Sequence, residues 1–97
     1  MNIAIVGATG NVGRKILEVL EKKELAIDNL YLLASSRSAG SKINFNGNEH
    51  VVVDLETFDF SKVKITFFAA GGKISESFAE IAAKHSLVID NSSFYRM

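Results

Sequence analysis

The residues with the clearest chemical potential in this 97-residue chain are three glycines near its beginning, Gly7, Gly10 and Gly13. Their spacing is G-x-x-G-x-x-G. A glycine turn that opens a helix presents backbone N–H groups and the positive end of the helix dipole to a phosphate. Gly7 lets the chain turn sharply off a strand, Gly10 lets a phosphate approach the backbone, and Gly13 lets the helix pack closely on the sheet. The pattern predicts a phosphate-binding turn, and a glycine-rich turn that binds nothing is the alternative.

The segments on either side of this turn have the periodicity that a phosphate-binding turn requires. Residues 2–6 are nearly all apolar, as in a strand that is covered on both faces of a parallel sheet. Residues 11–23 have the pattern of an amphipathic helix. Its predicted apolar face consists of Val12, Ile16, Val19 and Leu20. No Gly-Lys-Ser/Thr follows the glycines, so the sequence does not indicate a P-loop.

A second stretch with binding potential, residues 35–40, is rich in serine and follows a predicted strand over residues 30–34. In a dinucleotide-binding sheet, the residue at this position contacts the adenosine ribose. Asp or Glu there binds the 2′-OH of NAD, whereas Arg suits the 2′-phosphate of NADP. No Asp or Glu lies between Asn29 and Asn48, and Arg37 is surrounded by serines. The stretch therefore favours NADP over NAD, with a solvated serine-rich loop as the alternative.

The rest of the chain continues the alternation of strands and helices. The predicted elements are a hairpin over residues 42–53 around Asn46-Gly47, a loop or short helical turn over residues 55–63 pinned by Phe58 and Phe60, a strand over residues 65–70, a helix that buries Phe78, Ile81 and Ala82, and a last strand over residues 87–89. This succession predicts an α/β fold: a Rossmann-type, doubly wound, mainly parallel sheet. We expect the strand order 3-2-1-4-5, with the hairpin as an irregular edge.

Glycines and polar residues also follow the later strands, at the edge where such sheets bind ligands. Gly71 and Gly72 follow the strand over residues 65–70, where either a passing ligand or a simple turn would suit them. Asp90, Asn91, Ser92 and Ser93 follow the last strand. Beyond them, Arg96 has the guanidinium group that can hold an anion through two hydrogen bonds.

The composition excludes several classes of function. Eleven Lys and Arg balance eleven Asp and Glu, so charge gives no reason to expect nucleic acid or a membrane as a partner. The chain has no cysteine, hence no disulfide, thiolate ligand or cysteine nucleophile. Its two histidines, His50 and His85, are not at ligand spacing, so no metal site is predicted. No apolar run approaches about 18 residues, and a cytoplasmic location is expected.

Four blocks together resemble the amino-terminal cofactor domain of aspartate-semialdehyde dehydrogenases. They are residues 7–13, 34–40, 70–72 and 90–97, in order and with compatible spacing over essentially the whole chain. The resemblance implies one truncated NADP-binding domain over residues 1–97, with the catalytic and dimerisation domain outside this chain. The chain stops without a helix to cover its last strand, which also favours a piece of a longer protein.

The resemblance implies NADP(H) as the cofactor and a set of contacts to it. The implied cofactor-binding residues are Gly7, Thr9, Gly10, Asn11, Val12, Gly13, Ser35, Arg37, Ser38, Ala70, Gly71, Gly72 and Ser93. Residues 9–12 would bind the pyrophosphate, and Arg37 with Ser38 would bind the 2′-phosphate. Gly71 and its neighbours would line the cofactor path, Ser93 would lie near the nicotinamide, and Arg96 would bind the phosphoryl group of the substrate.

The family reduces aspartyl phosphate to aspartate semialdehyde with NADPH and releases phosphate, on the route to lysine, methionine and threonine. Its cysteine nucleophile and acid/base histidine would lie beyond Met97, so residues 1–97 alone should be inactive. The whole enzyme would be a homodimer or homotetramer. Two alternatives remain open: a sibling acyl-phosphate reductase, such as N-acetyl-glutamyl-phosphate reductase, and a non-catalytic stand-alone nucleotide-binding module.

Overall fold

A parallel β-sheet of five strands forms the centre of the computed structural model, which describes residues 2–23, 27–45, 47–69, 78 and 80–90. The strands within these described residues are β1 (Asn2–Val6), β2 (Asn29–Ala34), β3 (Lys42–Phe45), β4 (Asn48–Val51), β5 (Val53–Asp54), β6 (Ile65–Phe68) and β7 (Leu87–Asp90). The sheet has the order β5-β2-β1-β6-β7, and each neighbouring pair is parallel. If the strands of this sheet are numbered in chain order, the arrangement is 3-2-1-4-5, which confirms the predicted order.

The hairpin corrects one expectation about the edge of this sheet. Strands β3 and β4 pair with each other as a separate antiparallel sheet of two strands. Phe45 lies opposite Asn48, which leaves a two-residue loop, and Gly47 in that loop has φ +81°. On the side of β2 away from β1, its partners are Val53 and Asp54, which follow the hairpin. The edge of the main sheet is therefore this short strand rather than the hairpin itself.

Strand β1 is the most completely buried element, as its continuous apolar run predicts. Ile3 and Ile5 belong to one cluster of buried residues, whereas Ala4 and Val6 belong to a second cluster. Successive side chains of a strand point to opposite faces of the sheet, so the two clusters lie on opposite faces. The fold therefore has a core on each side of β1.

Helix α1 (Asn11–Lys23) covers the face that carries Ile3 and Ile5. Its bounds agree with the prediction, and so does most of its buried face: Ile16 and Leu20 are buried and Val12 packs partly against the cluster. Gly13 and Leu17 are buried as well. Val19, which was expected on this face, is 42% exposed. Successive residues of a helix are about 100° apart around its axis, so Val19 lies roughly 120° from Gly13, at the border of the buried face.

The opposite face is covered by 3-10 turns and by a helical segment over residues 80–83. The turns Leu55–Thr57 and Phe60–Lys62 confirm the predicted short helical structure. Phe60 is buried and Phe58 packs partly against the same cluster, so both aromatic rings anchor this segment to the core as expected.

The helical segment before β7 packs as predicted except at one residue. Ala82 is fully buried and Phe78 is partly buried, but Ile81 is 46% exposed. The carbonyl of Ala82 accepts hydrogen bonds from the N–H and the hydroxyl of Ser86, and Ser86 also contacts the Thr66 hydroxyl at 2.8 Å. These bonds turn the Ala82 side of the segment towards β6.

Within the described residues, no helix is both long and apolar enough to cross a membrane.

Candidate functional site

The candidate site lies where the order of the sheet reverses direction. From β1 the chain builds β2 and β5 on one side, then crosses to build β6 and β7 on the other. All five strands are parallel, so their carboxyl ends meet at one edge. The Ala69 N–H donates to the Val6 carbonyl at 2.8 Å, which keeps the end of β6 beside the end of β1. Crevices at such switch points are where doubly wound sheets bind ligands.

The glycine turn, residues 7–10, follows β1 at this edge and is hydrogen-bonded to the neighbouring strand. The Gly7 and Ala8 N–H groups both donate to the Leu33 carbonyl, at 2.7 and 3.2 Å. The Gly10 N–H donates to the Gly7 carbonyl at 3.1 Å. Gly7 has φ +84°, a conformation that favours glycine. The turn is thus held in one conformation by backbone hydrogen bonds and by the freedom of Gly7.

Gly13 is needed for close packing within the protein. A Cβ on Gly13 would lie 2.4 Å from the Gly7 carbonyl oxygen and 2.7 Å from the Ala8 Cα. The first turn of α1 therefore packs against the glycine turn itself. This agrees with the expected steric role of Gly13, although its close neighbours are backbone atoms of the turn rather than strand side chains.

Gly10 has a different environment. The space around Gly10 shows whether a phosphate group can approach the glycine turn. Positive φ values among the described glycines occur at Gly7, Gly40 and Gly47, so the conformation of Gly10 does not require glycine. A Cβ on Gly10 would meet only the Gly7 oxygen, at an ordinary 3.5 Å. The residue is exposed. The space that a side chain would fill at position 10 therefore lies outside the chain, where a bound anion fits.

The start of α1 supplies free hydrogen-bond donors beside Gly10. The Gly10 carbonyl accepts the Arg14 N–H at 3.0 Å, so the helix begins directly after Gly10. The N–H groups of Asn11, Val12 and Gly13 have no acceptor in the part of the chain that the structure describes. The first turn of the helix holds no acidic residue. This helix end can therefore bind a phosphate through several N–H groups and its dipole.

The Arg37 loop, residues 35–41, follows β2 at the same edge of the sheet. Val6 pairs with Leu33, so the glycine turn and the Arg37 loop leave adjacent strands, about 5 Å apart, at neighbouring positions. Arg37 is exposed, and no described residue pairs with its guanidinium group. The Ser35 and Ser36 side chains are exposed, and the Ser38 side chain is partly exposed. The loop can present a cation and hydroxyl groups to an anion.

Several predicted site residues lie outside the described part of the chain. They are Ala70, Gly71, Gly72, Ser93 and Arg96. Of the predicted residues that are described, the glycine turn, the first turn of α1 and the Arg37 loop meet at one edge of the sheet.

The structure also adds Gly40 and Val52, which sequence reasoning did not assign to the site. Two backbone hydrogen bonds join residues 40 and 41 to Val52. In the sequence, the glycine that ends the serine-rich stretch was a signal for the special backbone conformation at position 40. The apolar side chain of Val52 gave no signal that its backbone anchors the loop.

The titratable groups outside this edge suggest no second reaction centre. No group of three or more His, Cys, Asp or Glu residues within the described ranges could hold a metal ion. His50 packs edge-on against the Phe45 ring, with centroids 6.1 Å apart, which is a structural contact. Asp59 caps the turn Phe60–Lys62, and the Lys62 carbonyl accepts a hydrogen bond from the side chain of Asn2 at the amino end of β1. Hydrogen bonds from the Ser61 hydroxyl and N–H, with the charges of Lys62 and His85, lower the pKa of Asp59.

Known protein families and relatives identify the fold. A family model described as "Semialdehyde dehydrogenase, NAD binding domain" matches residues 2–97. The chain is 46% identical over 96 residues to an aspartate-semialdehyde dehydrogenase of Shewanella sp. (strain DB6705), covering 98% of this chain and 28% of that protein. It is 50% identical over 96 residues to aspartate-semialdehyde dehydrogenase 2 of Vibrio cholerae, again covering 98% of this chain and 28% of the relative.

Solved structures agree with this relationship. Aspartate semialdehyde dehydrogenase II of Vibrio cholerae, in complex with ASA, superimposes with a TM-score of 0.90 at 50% identity, covering 98% of this chain and 31% of that chain. A probable aspartate-semialdehyde dehydrogenase of Pseudomonas aeruginosa gives a TM-score of 0.91 at 40% identity, covering 96% and 28%. The chain thus spans less than a third of the length of these relatives. These likenesses confirm the Rossmann-type fold, and the family match supports a nicotinamide dinucleotide as the cofactor. The chain belongs to the family of NAD-binding domains of semialdehyde dehydrogenases.

Proposed function

We propose that this chain is the NADP(H)-binding part of an aspartate-semialdehyde dehydrogenase. The observation that carries the proposal is the placement of the glycine turn beside the Arg37 loop, at the carboxyl ends of the paired strands β1 and β2. NADP(H) has one anionic group for each of these features, a pyrophosphate and a 2′-phosphate, whereas NAD(H) has only the pyrophosphate. The aspartyl substrate is supported by relatives named aspartate-semialdehyde dehydrogenase at 46–50% identity.

The glycine turn would hold the pyrophosphate. The free N–H groups at the start of α1 donate to its oxygens, and Gly10 leaves the space through which they approach. Gly7 and Gly13 shape the turn, while Thr9 and Asn11 add polar side chains to its rim. When bound, the cofactor supplies a hydride for reduction of the substrate.

The Arg37 loop would bind the adenosine 2′-phosphate. The guanidinium of Arg37 can donate two parallel hydrogen bonds to it, and the Ser35 and Ser38 hydroxyls can add further contacts. No Asp or Glu lies between Asn29 and Asn48, so a carboxylate that would bind the 2′-OH of NAD is missing from this stretch. We therefore propose NADP(H) over NAD(H).

The remaining assignments concern the whole protein. Ala70, Gly71 and Gly72 would line the cofactor path, Ser93 would lie near the nicotinamide, and Arg96 would bind the phosphate of aspartyl phosphate. The chain has no cysteine, so the thioacyl chemistry expected of this reaction needs a residue from beyond it. We propose a cytoplasmic homodimer or homotetramer that acts on the route to lysine, methionine and threonine.

The test uses the intact protein as its gene encodes it, in the direction that consumes the aldehyde. NADP reduction is followed at fixed aspartate semialdehyde, with and without inorganic phosphate. NADPH formation that requires phosphate is the expected result, and NAD in place of NADP should give a much slower rate.

Two other results would overturn the proposal. Phosphate-dependent turnover of N-acetyl-glutamate semialdehyde alone would show a sibling reductase. A folded protein that binds NADP but turns over neither aldehyde would leave a non-catalytic binding module, or a sibling reductase with another substrate, in place of the proposed enzyme.

A further inference from the structure

Among the described residues, Val52 is the one that fastens the Arg37 loop to the rest of the fold through backbone hydrogen bonds. The Gly40 N–H donates to the Val52 carbonyl at 2.8 Å, and the Val52 N–H donates to the Ser41 carbonyl at 2.7 Å. Val52 lies between β4 and β5, is 1% exposed, and belongs to the buried cluster that includes Leu32. The far end of the loop is therefore anchored to the core through backbone atoms.

Hydrogen bonds within the loop close it further. The Ser35 carbonyl accepts the N–H groups of Ser38 and Ala39, at 2.9 and 3.1 Å, and the Ser38 carbonyl accepts the Ser41 N–H at 3.1 Å. With the two bonds to Val52, these contacts fix the backbone on both sides of Arg37. A loop that is ordered before binding loses less conformational entropy when its ligand arrives.

Gly40 is the residue on which this closure depends. Its φ is +94°, and an added Cβ would meet nothing within 4 Å. The need for glycine at position 40 is therefore a matter of backbone conformation and not of space. The same residue donates the hydrogen bond to Val52, so its conformation and the anchoring of the loop are linked.

We infer that Gly40 is a positioning residue for Arg37, and that the bond from Gly40 to Val52 sets how strongly the protein prefers NADP(H) to NAD(H). The inference rests on the proposed function, in which Arg37 binds the 2′-phosphate. The glycine turn is held by other bonds, from Gly7 and Ala8 to Leu33. Loosening the Arg37 loop should therefore weaken binding of NADPH while binding of NADH stays unchanged.

The experiment compares Gly40→Ala with Gly47→Ala in the intact protein. Gly47 is a matched control because it also has a positive φ, +81°, and open space around an added Cβ, but it lies in the loop of the hairpin. Dissociation constants for NADPH and NADH are measured by cofactor fluorescence. We expect Gly40→Ala to lower the preference for NADPH about tenfold, the typical cost of a left-handed backbone for alanine, and Gly47→Ala to leave it unchanged.

Two more variants separate positioning from a general structural effect. Asparagine tolerates left-handed backbone, so Gly40→Asn should restore most of the preference. Combining Gly40→Ala with Arg37→Ala should lower the preference no further than Arg37→Ala alone, because Gly40 acts through Arg37. If the double variant instead lowers the preference for NADPH by the product of the two single effects, the inference is wrong.

A measurement on the wild-type protein covers the case in which Gly40→Ala does not fold. Hydrogen exchange should find the Gly40 and Val52 amides protected before any cofactor is added. Protection of these amides that appears only with NADPH would show that the anchor is not formed in advance, and the inference would be wrong.

The failure of this inference is distinguishable from the failure of the proposed function. A wild-type protein without any preference for NADPH would remove the NADP assignment, and the inference with it. If Arg37→Ala abolishes the preference for NADPH but Gly40→Ala leaves it intact, the inference about Gly40 is wrong and the proposed function stands.

Discussion

Gly10 directly precedes α1 and Gly13 lies in the first turn of this helix, yet the two glycines meet different demands. A Cβ at position 13 would lie 2.4 Å from a backbone oxygen, whereas a Cβ at position 10 would make an ordinary contact at 3.5 Å. One glycine is needed for packing inside the protein, and the other leaves room outside it. This difference can be tested by placing the same methyl group at each site.

We expect Gly13→Ala to lower the free energy of unfolding by about 2 kcal/mol or more, because backbone of the turn must move to relieve the overlap. Gly10→Ala should change it by less than about 1 kcal/mol, the modest cost of alanine at a helix start. Urea unfolding of the intact protein measures both.

In cofactor titrations, Gly10→Ala should weaken the binding of NADPH and of NADH alike, because both contain the pyrophosphate. A Gly10→Ala protein with unchanged affinity for both would contradict the phosphate assignment.

Arg37 allows a separate test of cofactor choice. Arg37→Ala should weaken NADPH binding roughly 10- to 100-fold, which corresponds to loss of a charge-assisted hydrogen bond to phosphate. NADH binding should change less than about twofold, because NADH has no 2′-phosphate to lose that contact. Lys64→Ala is the control, since it removes one positive charge near the amino ends of the strands, where the Lys64 backbone N–H donates to the Asn2 carbonyl. Equal losses of NADPH and NADH affinity in Arg37→Ala would refute the assignment.

Among the elements, the 3-10 turn Phe60–Lys62 carries a pH-dependent contribution to stability. Asp59 caps it by accepting hydrogen bonds from the Ser61 hydroxyl and N–H, at 2.7 and 3.0 Å. These bonds, aided by the charges of Lys62 and His85, lower the pKa of Asp59 below its ordinary value of 3.8, while desolvation opposes them. Folding therefore favours the ionised carboxylate.

The sign of this shift predicts how Asp59→Asn behaves. Because the pKa is lower in the folded state, the stabilisation is complete well above pH 3.8 and is lost as pH falls through the lowered pKa. Thermal unfolding midpoints of Asp59→Asn and the wild-type protein should therefore differ most near neutral pH and converge in acid. A difference that stays constant from pH 7 to about pH 2 would show that the charge of Asp59 contributes nothing.

At the scale of the whole molecule, stability depends on a sheet with a core on each face. Ile5 is 0% exposed in the cluster under α1, whereas Val19 on α1 is 42% exposed. We expect Ile5→Ala to cost about 2–5 kcal/mol, a large part of the 5–15 kcal/mol typical of domains. Val19→Ala should cost less than about 1 kcal/mol because much of that side chain already contacts water. Chemical denaturation compares the two variants, and equal costs would mean that burial of β1 does not dominate stability.

Local patterns in the sequence were sufficient for several elements of the fold. The bounds of β1 and α1, Asn2–Val6 and Asn11–Lys23, agree with the prediction because an apolar run, a glycine turn and a helical period can all be read from neighbouring residues. The strand order followed from the same glycine turn, since it marks the first strand of a doubly wound sheet. The choice of NADP by Arg37 remains a prediction.

The sequence by itself determined the bounds of β1 and α1, the order 3-2-1-4-5 of the main sheet and the chemistry that Gly10 and Arg37 offer, but it did not identify β5 as the third strand of that sheet. Only the tertiary structure decided that Leu17 is buried in place of Val19, that Ile81 is exposed, and that Val52 anchors the Arg37 loop. The physical reason is that burial and anchoring depend on contacts between residues far apart in the chain, whereas a sequence pattern specifies only the period of a segment. Val52 and Gly40 meet because β5 pairs with β2, a contact between segments about 20 residues apart that no local pattern shows.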